Sequence, residues 1–349
     1  MLANTYQVNT GYRVATVVDD LTTQFRVLVS GRVVSAAFGQ QPLPQFTVTA
    51  DRPGFFIKTI PDGFFCLAGN EAQLFPIYPV NFNLTITAPY QRAVMLPVTI
   101  TAVSDLPLAL PDTALLYQPV RLQGRVTLDD VARTPVAGAT VTIDDTAVLT
   151  LRTPLHFDHP GGTPVQPLTL SGSGTIKTLT VPAAQFSNTL ALNNRTGLAP
   201  GSVLRLGTAV STEYALIDAI SGNPANPGDV TLTAGLQRSL PVGAAVELAS
   251  AGPPGAAVNL LDDVLAGEGI LRLAGSLTAV AIQIADANPA RLEYHTLQAL
   301  TDAAGYYRLD GLSRVTAVTL HATDGTDTDD QDWTLNYRQP VNVIDFRLD

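Results

Sequence analysis

The sequence predicts an all-β protein built as two small β-sandwich domains, the second interrupted by an inserted β-rich region containing a nested small β-barrel. Three observations predict it. First, Glu occurs five times and Lys twice in 349 residues, while Gly and Pro together number 52. Residues that clothe helix surfaces are scarce, and those that suit pleated strands and turns dominate. Second, whole phrases recur at fixed offsets, which constrains architecture before any local reading does. Third, the phrases contain short runs of alternating apolar and polar residues bounded by Gly, Pro, Asn and Asp, the pattern of half-buried strands and turns.

The recurrences set the order of the elements. GRVV at 31–34 matches GRVT at 124–127, Pro42 matches Pro135, and FTVTA at 46–50 matches ATVTI at 139–143, all offset by 93 residues. TIPDGFFCL at 59–67 matches TDAAGYYRL at 301–309, with Gly63 answering Gly305 at an offset of 242. A gain of 149 residues between the two offsets means that the second copy is split by a long insertion. The expected layout is an N-terminal arm over 1–20, a first sandwich over 21–108 and a linker over 109–117. A second sandwich is expected from 118–146 plus 291–349, with the insertion at 147–290.

Each copy has a physical reading. GRVT followed by PVAGATVTI gives a strand, a loop shaped by Pro135 and Gly138, and a strand whose Ala139, Val141 and Ile143 share one face. TDAAGYYRL gives an Asx-type turn, a glycine suited to positive φ, and a strand in which Tyr307 and Leu309 share a face. VTAVTL at 315–320 and the closing VNVIDFRL supply further strands.

Together GRV, PVAGATVTI, TDAAGYYRL and VTAVTLHA resemble the carboxypeptidase regulatory-like domain, the transthyretin-like or collagen-adhesin B-type sandwich. The resemblance covers 118–146 and 291–349, and 21–108 more loosely. It implies a fold and is nearly silent about function, because such modules occur on surface proteins, transporters and enzymes alike. Some members form a Lys–Asn isopeptide bond beside an acidic residue. Here Lys58 lies just before the glycine turn rather than in the first strand, and Lys177 lies in the insertion. No such crosslink is expected.

Within the insertion, TLALNNRTGLAPGSVLRLGTAVSTEYALIDAI and GDVTLTAGLQRSLPVGAAVEL read as short strands joined by Gly, Pro and Asn turns. They resemble small barrel modules of phage-type and surface proteins, giving the nested barrel over about 184–250. AAVNLLDDVLAGEG at 256–269 is the best short-helix candidate.

Composition excludes several partners. The net charge is −10, 18 of the 20 cationic residues are Arg, and no basic block forms a phosphate-binding face; nucleic acid is not an expected partner. No run approaches the roughly 20 apolar residues of a membrane helix, so no membrane insertion is expected. The start, MLANTYQVNTGYR, lacks a charged segment followed by an apolar one, so no secretory signal is read. One cysteine, Cys66, excludes an internal disulfide and suits a reducing compartment. Synthesis in the cytoplasm is expected, with release as part of an extracellular particle.

The chemical candidates are few. HFDHP at 156–160 offers two histidines and an aspartate, but on an extended strand His156 and Asp158 share a face while His159 points away. A solvated or structural role is expected, with no bound metal. DGTDTDDQD at 324–332 reads as a solvated acidic loop, because Gly325 stands second and no Glu stands twelfth as a calcium loop requires. No G-x-S-x-G, H-E-x-x-H or Walker phrase occurs. Cys66 reads as packing, and no catalytic residue or cofactor is expected.

Paired aromatics carry the stronger signal. Phe55–Phe56, Phe64–Phe65 and Tyr306–Tyr307 are adjacent on extended chain, so each pair presents one ring to each face. Phe55, Phe64 and Tyr306 are the interface candidates, covered either by packing of one sandwich on the other or by another subunit. The expected function is a non-enzymatic structural or adaptor subunit of a large assembly, such as a phage-tail-like or contractile injection particle. An adhesin with a glycan ligand, and a metal-dependent hydrolase around His156 and Asp158, are the other readings.

Overall fold

The structure, a computed structural model, describes residues 25–36, 41–144, 148–207 and 212–349, with the backbone of the paired strands Val17–Val18 and Leu21–Thr22. The rest of the arm expected over 1–20 lies outside the described residues. The chain divides into two compact units, Met1–Gln118 and Pro119–Asp349. Among the described residues α-helix is confined to Glu71–Leu74, capped by the Asn70 side chain, and nearly everything else is strand and turn.

The first unit is a two-sheet sandwich. One sheet orders Thr113–Leu115, Arg26–Ser35, Phe64–Gly69 and Phe56–Thr59, with Leu108–Ala109 also lying along Arg26–Ser35. The other orders Thr47–Ala50, Val80–Thr87 and Val94–Ile100. Leu28, Val33, Phe65, Leu67, Leu84 and Ile100 fill the space between them, each side chain contributing roughly 1.5–3 kcal/mol on burial. The segment 109–117 is therefore no linker: Thr113–Leu115 pairs in parallel with Val33, Val34 and Ser35. Its Leu115 is wholly buried in the same core, and that burial binds it to the sandwich.

The second unit contains the split sandwich. Tyr306–Leu312, Val120–Leu128 and Val341–Val343 form one sheet, with Phe346–Leu348 also on Val120–Leu128. Ala299–Leu300, Thr140–Ile143, Ala317–Thr323 and Thr328–Thr334 form the other. The sequence repeat reappears bond for bond. Val33 N–H donates to the Gly63 carbonyl and Val126 N–H to that of Gly305; Leu43 N–H donates to Val33 and Val136 N–H to Val126. The bridges Val34–Pro42 and Thr127–Pro135 correspond as well. Both turn glycines are left-handed, Gly63 at φ +82° and Gly305 at φ +75°, and a Cβ would stand 2.4 and 2.5 Å from the carbonyl oxygens of Val33 and Val126. The turn phrase needs glycine for both reasons.

The insertion leaves through Val148–Thr150, which pairs with the returning strand Ile270–Arg272. It forms a four-stranded sheet of Val258–Asn259, Pro164–Leu168, Ala281–Ile284 and Glu293–Thr296. Glu293–Thr296 thus belongs to the inserted sheet, and the sandwich resumes at Ala299. A six-stranded antiparallel sheet follows the order Leu170–Thr178, Ala245–Ala251, Val203–Leu206, Glu213–Ile220, Gly228–Leu232, Thr189–Leu192. No ladder closes it into the nested barrel expected over about 184–250. Its outer strands meet only at the bridge Leu179–Leu192, and Pro182 soon follows without the N–H that a continuing ladder needs. The segment 256–269 is extended rather than helical, since Leu260 and Val264 enter the apolar core of the inserted sheet from strand and turn backbone.

Candidate functional site

The outward aromatics sort by the strand period. Phe64 and Tyr306 face solvent at 47% and 43% exposure, while Phe65 and Tyr307 are buried. Each outward ring carries an arginine from its cross-strand partner: the Arg32 guanidinium carbon stands 5.4 Å from the Phe64 ring centre and that of Arg125 stands 4.1 Å from Tyr306. Phe55 is turned the other way from the expectation. Its ring packs on Phe75 and Phe82 at centroid distances of 6.0 and 5.2 Å, and the outward member of its pair is Phe56. Cys66 shares the outer face rather than the core, because inward Phe65 and Leu67 flank it; partial burial pushes its thiol upward.

The acidic stretch 324–332 is mostly strand. The turn is held by Asp324, which accepts from the N–H groups of Thr326 and Asp327, and the strand Thr328–Thr334 begins at once. Asp330 and Asp332 spread to His321 and Thr319 on the neighbouring strand, so the carboxylates do not converge. Lys177 is buried and donates to Asn194 Oδ1 at 2.6 Å, with no ion pair to either side chain among the described residues.

The histidines converge where the sequence reading kept them apart. His156 and His159 lie in a loop, not on a strand, so strand alternation does not govern them. Both rings turn onto Glu293. His156 Nδ1 lies 2.9 Å from Glu293 Oε2 and His159 Nε2 lies 2.8 Å from Glu293 Oε1. His295, two residues along the same strand and therefore on the same face, places Nε2 3.0 Å from Glu293 Oε2. The backbone N–H groups of His156 and Phe157 also donate to Glu293. Behind the histidines stand two more carboxylates: Glu213, 2.9 Å from His156 Nε2, and Asp286, 3.1 Å from His159 Nδ1. Asp158 turns away to accept from the Ala266 N–H.

Burial makes these contacts strong and makes any loss costly. The Glu213 and Glu293 side chains are at most 1% exposed. Burial alone would lower the His156 imidazole, but the two glutamates outweigh it and push it up to about 10. Burial alone would raise Glu293, but three imidazoles hold it well below the usual carboxylate range. His156, Glu293 and His295 are also the residues able to hold a metal ion, with one donor atom each within 4.8 Å of one another. The cluster joins the loop before Pro164, the inserted four-stranded sheet and the first residue of Glu213–Ile220 in the six-stranded sheet.

A second buried network fastens the insertion to the sandwich. Asp310, on Tyr306–Leu312, accepts from Arg121 at 2.7 Å and Arg308 at 2.6 Å within the sandwich, and from Arg238 of the insertion at 2.9 Å. Arg238 also donates to the Arg152 carbonyl. Burial would raise Asp310, but Arg238, Arg308 and Arg121 together hold it below its ordinary value. Nearby, Arg314 of the sandwich pairs with wholly buried Glu268 of the insertion at 2.8 Å. Sequence reasoning missed Glu213, Glu268, Glu293, His295, Asp286 and Asp310. The available signal was scarcity: of five glutamates three are fully or nearly fully buried, and EYH at 293–295 sets two ligand-type side chains on one strand face.

No family model matches the chain, and no curated protein matches it. Two solved structures are similar in outline, the major pilin subunit BcpA of Bacillus cereus and a point variant of it. They share 9% and 8% identity with this chain and each alignment covers 92% of it and 98% of the pilin, with TM-scores of 0.21 and 0.22. At scores that low neither structure bears on the function of this chain.

Proposed function

We propose that the chain is a non-enzymatic structural or adaptor subunit of a larger protein assembly. One open face of the first sandwich carries the reading. Phe56, Ile60 and Phe64 are 64%, 42% and 47% exposed; Ile60 and Phe64 adjoin, the Ile60 N–H donating to the Phe64 carbonyl, and Phe56 stands on the same face beyond the Lys58–Cys66 pair. Phe56–Thr59 is the outermost strand of its sheet. An apolar face beside an open edge is a site that a further chain covers, by side-chain burial and by strand pairing.

The resemblance to carboxypeptidase regulatory-like sandwiches fits a modular part and does not itself choose a role. Within that class we assign the chain to a phage-tail-like or contractile injection particle, as a baseplate, cap, spike-adjacent or fibre-adaptor subunit. One cysteine, and hence no internal disulfide, suits synthesis in the cytoplasm before release with the particle. Size-exclusion chromatography with light scattering tests the reading. The full chain should elute as a species heavier than the 36.8 kDa monomer, and Phe56→Asp with Phe64→Asp should return it to monomer. A wild-type chain that stays monomeric at high concentration and does not co-purify with a particle from its source cells would sink the proposal.

A further inference from the structure

We propose that His156 Nδ1, Glu293 Oε2 and His295 Nε2 are the inner ligands of a divalent transition-metal ion of the zinc class, bound within the insertion. Glu293 Oε2 stands 2.9 Å from His156 Nδ1 and 3.0 Å from His295 Nε2. Around a tetrahedral ion with bonds of about 2.0–2.1 Å, neighbouring donors stand about 3.3 Å apart. The two carboxylate–imidazole pairs reach that spacing by lengthening a few tenths of an ångström, and the two ring nitrogens lie within 4.8 Å of each other. Two imidazole nitrogens with one carboxylate oxygen is a set that zinc accepts; calcium and magnesium prefer oxygen alone, and no thiolate is present to favour copper(I).

The surroundings fit a ligated ion. Glu213 holds the far nitrogen of His156, which orients the ring and leaves Nδ1 as the donor, as carboxylates do behind metal-bound histidines. Phe157 N–H and His159 Nε2 hold Glu293 Oε1, while Oε2 accepts the His156 backbone N–H at 2.7 Å and turns its other lone pair to the two ring nitrogens. An independent observation is Glu213 Oε2, buried without a hydrogen-bond partner among the described residues, although the residue is wholly buried. Glu213, Asp286 and Glu293 set three carboxylates around the imidazoles, so that once the imidazoles are neutral a dication supplies the positive charge the cluster needs. Beside it lies a crevice of about 10 Å³ lined by His156, Tyr214, Thr233 and Glu293, space for one water as the fourth ligand. On binding, the ion takes the place of the hydrogens between Glu293 Oε2 and the two ring nitrogens; each imidazole ligates in its neutral form, and any proton in excess leaves to solvent.

The test uses the full chain, stripped with chelator, reloaded with zinc and desalted. Elemental analysis should find about one zinc per chain, cobalt in its place should give the visible bands of a four-coordinate ion, and chelation should lower the melting temperature by about 5 °C or more. His295→Gln should lose the metal, and His321→Gln, half-buried on the strand Ala317–Thr323 of the sandwich, should keep it. Less than about 0.1 zinc per wild-type chain at micromolar free zinc, against the tight binding of such sites, overturns the proposal whether or not any variant folds. Retention by a folded His295→Gln, or loss in His321→Gln, overturns it too.

Discussion

The two sandwiches share a frame and differ in what covers one face. In both, a GRV strand pairs with a glycine-turn strand, and the same carbonyls accept the same N–H groups. Positions 64, 66 and 68 of the first answer 306, 308 and 310 of the second, so Phe64, Cys66 and Ala68 stand where the second has Tyr306, Arg308 and Asp310. In the second sandwich that face binds its own insertion through Asp310 and Arg238. In the first, Phe64 stands exposed and Cys66 and Ala68 half-buried, with Arg32 and Lys58 across from them. A sandwich face of this kind tolerates two solutions, a buried ion-pair network made within the chain or apolar groups awaiting another surface.

The comparison breaks most sharply at Asp310. Asp310→Ala installs the residue of the first unit and leaves Arg238 buried without its carboxylate, which should cost about 3–5 kcal/mol, read from a urea melt of the full chain. Wild-type stability under this change would mean that Arg314–Glu268 and apolar packing suffice to hold the insertion. The same carboxyl fixes a pH dependence. Its folded pKa lies below the unfolded value of about 3.9, so its contribution is full above that pH and fades as pH falls through the folded value. Asp310→Asn should therefore flatten the acid limb of the stability curve; an unchanged acid limb counts against the role.

Next in size is the open face. Phe64→Asp should weaken assembly by about 2–4 kcal/mol, the scale of an interface anchor, while leaving the circular dichroism of the chain unchanged; equal assembly of the variant removes the face from the interface. The turn glycines sharpen the likeness instead. Gly63→Ala and Gly305→Ala should each cost about 1–3 kcal/mol, from left-handed strain and a clash with a strand carbonyl. Matched losses in thermal melts support equivalent turns, and tolerance at one site denies it. Smallest is Tyr306→Asp, which removes the Arg125 stacking, worth about 0.5–1 kcal/mol at an exposed site. A loss of assembly as large as that of Phe64→Asp would put Tyr306 in the contact itself.

Local signals made the fold legible and left the site hidden. The all-β class, the repeat, the split of the second copy and the glycine turns follow from offsets and from the period of two, which act between neighbours in the chain. The same period predicted which ring of 64–65 and of 306–307 faces outward. It pointed Phe55 outward where the structure turns out Phe56, because Phe55 precedes the strand that begins at Phe56 and its direction is fixed by packing on Phe75 and Phe82.

By itself, then, the sequence determined strands, turns, the repeat and the presence of an insertion, since these depend on alternation and on backbone conformations that only certain residues adopt. Only the tertiary structure decided that His156, His159 and His295 meet Glu293, that Asp310 meets Arg238 at a sequence separation of 72, and that the six-stranded sheet stays open. Contacts of that separation depend on how sheets stack and where loops cross, and a buried charge announces itself in sequence only as a charged residue among apolar ones. The chemistry of this protein is concentrated where distant segments bring such residues together out of water.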